Sequence, residues 1–151
     1  MQSAIDSINK DMTIGFAGDH AGYILAAPIE ELLKTRGIEM VNFGTFSPEG
    51  VDYPDFAHPL AEAVLEGKVD AGIAACGTGN GMAMTLNKHR GIRAGLAWTA
   101  EIARLVKAHN NANILVLPQR FISEKEALHC VETWLDESFE GGRHLQRINK
   151  I

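Results

Sequence analysis

"VDAGIAACGTGNGM", residues 69–82, decides how this chain is read. Its first eight residues are small or apolar apart from Asp70, the composition of a strand buried on both faces. Glycine then takes every second position, 77, 79 and 81, directly after a lone cysteine, Cys76. The spacing G-x-G-x-G differs from the dinucleotide fingerprint G-x-G-x-x-G, and the run lacks the lysine and Ser/Thr of a phosphate loop. What it offers is bare backbone N–H groups ahead of a helix N-terminus, a nest for an anion or a developing oxyanion. A tight turn beside a buried structural thiol is the alternative.

The rest of the chain alternates in the same way. Strands are expected at 13–18, 39–44, 69–76, 92–98 and 113–118, most of them continuously apolar. Helices are expected near 21–36, 55–66, 79–89, 99–109 and 123–136. In the last of these, Ala127, Leu128, Val131, Trp134 and Leu135 recur at helical spacing, and Ser123 with Glu126 forms a capping box. Pro28 requires the first helix either to begin with a loose turn or to kink. Five β-α units in series predict an α/β fold, a Rossmann-like three-layer α/β/α sandwich on a five-stranded parallel sheet. A polar, helical C-terminal tail follows Gly141-Gly142.

With 151 residues, 46% of them hydrophobic, residues 12–151 are expected to form a single domain. Residues 1–11 are expected to be a disordered extension, with Met12 as an alternative start. No apolar run approaches the roughly 20 residues of a membrane span. A net charge of −5 without a basic stripe argues against a nucleic-acid partner. The two cysteines, 76 and 130, lie far apart and outside any CxxC pattern, which favours a reducing cytoplasm over zinc or disulfides. No His/Cys/Asp group has metal-ligand spacing, so neither a metal nor a cofactor is expected.

In a doubly wound sheet ligands bind beyond the carboxyl ends of the strands. Asp19 and His20 follow the first strand, where Asp19 either caps the next helix or serves chemistry. A thiol in the position of Cys76 can have its pKa lowered by the helix N-terminus and act as a thiolate. Cys130 falls in an apolar helical stripe and reads as core. His109 ends a helix, as a helix-end residue or an acid–base group. Arg143 and Arg147, four apart, make a fork suited to phosphate if the tail is helical, and Arg120 can join them.

The motifs "GDHAG" (18–22), "VDYPDFA" (51–57), "CGTGNGMAMTLNK" (76–88), "GIRAG" (91–95), "HNNANIL" (109–115) and "EGGRHLQR" (140–147) cover nearly all of the chain from Met12 onward. Together they resemble the type B ribose-5-phosphate isomerases and the related allose- and galactose-6-phosphate isomerases. The resemblance implies a metal-independent aldose–ketose isomerase acting on a sugar phosphate, here D-ribose 5-phosphate and D-ribulose 5-phosphate. It implies that Cys76 takes the C2 proton and that Gly77, Thr78, Gly79, Asn80 and Gly81 hold the enediolate. His109, helped by Asp19, would open the furanose ring, and Tyr53 and Asn110 would contact sugar hydroxyls. His20, Arg120, Arg143 and Arg147 would surround the phosphate. It further implies a homodimer or tetramer whose site is shared between chains. Three features depart from the family: Ala17-Gly18 stands where many members carry Gly-Cys, Met82 stands where one branch places an acidic base, and Asn80 is a variation within the loop. The second favours the thiolate route. The alternatives are isomerisation of allose or galactose 6-phosphate, and non-catalytic sugar-phosphate binding.

Overall fold

The computed structural model describes residues 11–151. All but Asp11 of the extension expected at 1–11 lies outside the described residues. Five strands, β1 (Thr13–Gly18), β2 (Glu39–Asn42), β3 (Ala71–Cys76), β4 (Ala94–Leu96) and β5 (Ile114–Pro118), form one parallel sheet in the order β2-β1-β3-β5-β4. The helices are α1 (Ala26–Thr35), α2 (Pro54–Leu65), α3 (Asn80–Leu86), α4 (Ala100–Ala108), α5 (Glu124–Asp136) and α6 (Arg143–Ile148). The three-layer α/β/α sandwich read from the sequence is the one observed.

Alternation along the strands divides the core in two. Phe16, Ile73, Ala75, Leu115 and Leu117 point to the side covered by α1, α4 and α5, while Ala74, Cys76, Ile114 and Val116 point to α2 and α3. Parity therefore sets the face of the thiol: Cys76 faces the helix that follows its own loop. Five residues of α5, Ala127, Cys130, Val131, Trp134 and Leu135, are buried, each larger side chain contributing roughly 1.5–3 kcal/mol. Ser123 Oγ accepts from the Glu126 N–H at 3.1 Å, as the capping box requires. Cys130 is core, with no exposed surface.

β1 keeps its expected bounds, α2 is displaced by one residue, and the other strands and helices shorten at one or both ends; the difference at the first helix has a clear cause. A 3₁₀ turn over Tyr23–Leu25 comes first, and α1 starts at Ala26, placing Pro28 in the first helical turn, where its missing N–H has no partner to lose. The loose-turn alternative is thus the one adopted.

Strand β1 is followed by β2 on one side and by β3 on the other, so the crossovers reverse between β1 and β3. The carboxyl ends of those two strands make the crevice where doubly wound sheets place ligands. Gly18 pairs with Ala75, so Asp19 and Cys76 emerge together there.

Candidate active site

Cys76 lies at the end of β3, only 4% exposed, beside Ala17, Ala74 and Met82. The backbone N–H groups of Met82, Gly79 and Gly81 lie near enough to its sulfur to favour the thiolate. The cradle and the thiol therefore converge. Gly79 permits this: its φ of +79° is left-handed, and a Cβ there would sit 2.4 Å from Leu96 Cδ1. Burial pushes the thiol pKa above its ordinary value, with the charge of Asp19 adding to the effect, and the three N–H groups oppose it. The lowered pKa expected from the helix N-terminus is thus corrected: desolvation outweighs the amides.

The other residues near this end are placed by short, local geometry. Asp19 is 6% exposed, and its Oδ1 accepts from the N–H groups of Ala21 and Gly22, both at 2.9 Å. Asp19 therefore closes the turn over residues 19–22 and is not the N-cap of the 3₁₀ turn or of α1, whose caps are Gly22 and Leu25; the turn also sets the carboxylate beside the thiol. His20 Nδ1 accepts from the Val51 N–H at 3.2 Å, which leaves Nε2 to carry the proton of the neutral ring. The Tyr53 ring lies over Gly81, where a Cβ would come within 2.5 Å of it. Arg120 donates its N–H to Gly77 O at 3.0 Å, and its side chain lies over Gly77. Thr78 is exposed, and its hydroxyl accepts from the Asn80 N–H at 3.2 Å. Asp19, His20 and Tyr53 line a cleft of about 530 Å³.

A second group forms elsewhere. His109, Asn110, His144 and Arg147 line a cleft of about 420 Å³ that shares no lining residue with the first. Glu140 donates its N–H to Ala108 O at 2.9 Å, pinning the tail to the end of α4 before Gly141 and Gly142 turn it into α6. Arg143 and Arg147 both lie exposed on α6, as the helical tail requires.

Sequence reading passed over Glu140 and His144. His144 is buried, and its ring stacks on His109 with centroids 4.2 Å apart and planes 11° apart. Glu140 Oε1 lies 3.4 Å from His144 Nε2 and 3.8 Å from His109 Nε2. Their i, i+4 spacing was visible, but not their approach to a residue thirty positions away. The donor atoms of these three residues lie within 4.8 Å of one another, so the fold assembles a possible metal-ligating group that spacing did not show. Face-to-face rings, however, send their in-plane lone pairs side by side and not toward one point, and Arg143 and Arg147 add positive charge.

A parallel α/β sandwich that gathers a thiol, a loop of amides and the Arg120 guanidinium at the carboxyl ends of its strands defines an enzyme for a small anionic substrate. The chain belongs to the Ribose/Galactose Isomerase family, which matches residues 14–151. It is 42% identical over 138 residues to ribose-5-phosphate isomerase B of Escherichia coli, covering 91% of this chain and 93% of that one. The structure is similar to that of ribose-5-phosphate isomerase B from Clostridium thermocellum, with a TM-score of 0.90, 47% identity, and 92% and 94% of the two chains covered. It is also similar to the Mycoplasma genitalium enzyme with bound ribulose 5-phosphate, with a TM-score of 0.88, 41% identity, and 91% and 92% covered. Among the described residues no helix is long and apolar enough to cross a membrane.

Proposed function

We propose that this chain is an aldose–ketose isomerase that interconverts D-ribose 5-phosphate and D-ribulose 5-phosphate through an enediolate. The observation that carries the reading is the convergence of three backbone N–H groups on the Cys76 sulfur at the β1/β3 switch point. Removing a proton next to a carbonyl puts charge on oxygen, so a base and an oxyanion cradle must lie within reach of each other. The Cys76 thiolate takes the C2 proton and returns it at C1, while O2 loses its proton to become the ketone and O1 gains one. Amides of Gly77–Gly81, with Thr78 and Asn80 at the mouth, take up the charge that develops. His109, helped by Asp19, opens the furanose ring. Tyr53 and Asn110 hold hydroxyls, and His20, Arg120, Arg143 and Arg147 hold the phosphate.

These roles are spread over two separate clefts, and a homodimer joins them by placing His109, Asn110 and the α6 arginines of one copy against Cys76 of the other. A tetramer would be a pair of such dimers. The cytoplasm, reducing and supplied with sugar phosphates, suits a free thiol base. The names of the relatives, and the ketose held by one of them, support the five-carbon substrate over allose or galactose 6-phosphate. The test is conversion of ribose 5-phosphate by chelator-treated protein. Rapid ketose formation is expected. Tight binding without turnover would overturn catalysis and leave a sugar-phosphate sensor.

A further inference from the structure

Glu140 and His144 have no part in the mechanism above, yet both close on His109. His109 is the C-cap of α4, and its side chain is 38% exposed. An imidazole there would be free to turn about its side-chain torsions unless something held it. Two contacts do so. The His144 ring covers one face at 4.2 Å and nearly parallel, and the Glu140 carboxylate meets the Nε2 edge at 3.8 Å. The same carboxylate oxygen meets His144 Nε2 at 3.4 Å, so one acid ties both rings. The arrangement is built into the backbone, because the Glu140 N–H is bonded to Ala108 O and His144 is 9% exposed.

We propose that Glu140 is a positioning residue for ring opening: with His144 it fixes the plane and the Nε2 edge of the His109 imidazole. The inference rests on the isomerase reading and deepens it. In ring opening the C1–O4 bond breaks. O4 takes a proton from the imidazolium, and the O1 hydroxyl gives one to water, from which the imidazole is recharged. The donor must therefore be aimed at O4 as the bond breaks. The groups facing His109 are Glu140 from the tail and His144 and Arg147 from α6, with Arg143 acting on His144 from the same helix. Glu140 Oε1 meets the Nε2 edges of both rings, so it is the group in this set that fixes their mutual position. Partial burial, helped by the charges of His109, Arg143 and Arg147 and opposed by Glu140, lowers the pKa of His144. Its ring contributes by stacking on His109.

Ring opening can be separated from proton abstraction. Ribulose 5-phosphate has its O5 esterified and cannot close a furanose, so solvent-deuterium exchange at its C1 reports the enediolate step with no ring chemistry. Glu140→Gln is expected to lower kcat on ribose 5-phosphate about tenfold or more. It should also leave C1 exchange within about twofold of wild type. Glu140→Asp should restore part of the loss. Equal losses in isomerisation and exchange, or no loss in either, would overturn the positioning role. A wild-type protein that exchanges and isomerises nothing overturns the isomerase reading itself, and this inference with it.

Discussion

The thiol of Cys76 and the carboxylate of Asp19 stand side by side at the carboxyl ends of β3 and β1, and the negative charge of Asp19 helps hold the thiol in its protonated form. The pairing follows from the register, in which Gly18 sits opposite Ala75. It makes the base harder to ionise than its loop would suggest.

Asp19→Asn tests that relationship with little disturbance, because the amide oxygen can still accept from the Ala21 and Gly22 N–H groups. Removing the charge should let Cys76 ionise at lower pH, read as thiolate absorbance during an alkaline titration. An unmoved titration would show that the two groups do not sense each other.

Cys76→Ser keeps the shape of the site and substitutes a much weaker acid for the thiol. Isomerisation should fall by roughly 10²–10⁴-fold, the contribution of a positioned general base, with little change in ligand affinity. Since burial raises the thiol pKa, wild-type activity should climb as pH passes through and above the ordinary thiol range near ~8.5.

Gly79→Ala places a side chain at a φ of +79° and against Leu96. The left-handed conformation alone costs about 1–2 kcal/mol, so Tm should drop by about 2–4 °C for each of them. Activity should fall further than stability, because the same residue aims an amide at Cys76.

Cys130 is buried and pushed up to about 11, by burial first and the charge of Glu126 second. A thiol whose folded pKa is raised stabilises the fold fully below its unfolded pKa and loses that contribution as pH climbs through the folded value. Urea midpoints should therefore decline between pH 8 and 10, by about 1 kcal/mol in unfolding free energy. Cys130→Ala should flatten this dependence while lowering stability at neutral pH through the cavity it leaves.

The shared site has its own test. Inactive Cys76→Ser and inactive His109→Ala proteins, unfolded and refolded together, should regain about a quarter of wild-type activity, since half the dimers are mixed and each holds one intact site. No recovery would place Cys76 and His109 of the same chain in one site.

Much of this was readable along the chain. Continuous apolar runs at regular intervals demanded parallel strands covered on both faces, and glycine at 77, 79 and 81 marked where the third strand gives way to exposed amides. These are local properties: periodicity and conformational freedom act over a few residues. The order β2-β1-β3-β5-β4, which sets Asp19 against Cys76, is a property of long-range pairing and left no local trace. Nor did the approach of Glu140 and His144 to His109, which required a tail to turn at two glycines and bond to the end of α4. The direction of the Cys76 pKa was decided in the same way. Sequence showed a helix N-terminus beside a thiol, but only the packed structure showed how much water the sulfur loses, and desolvation outweighs three amides.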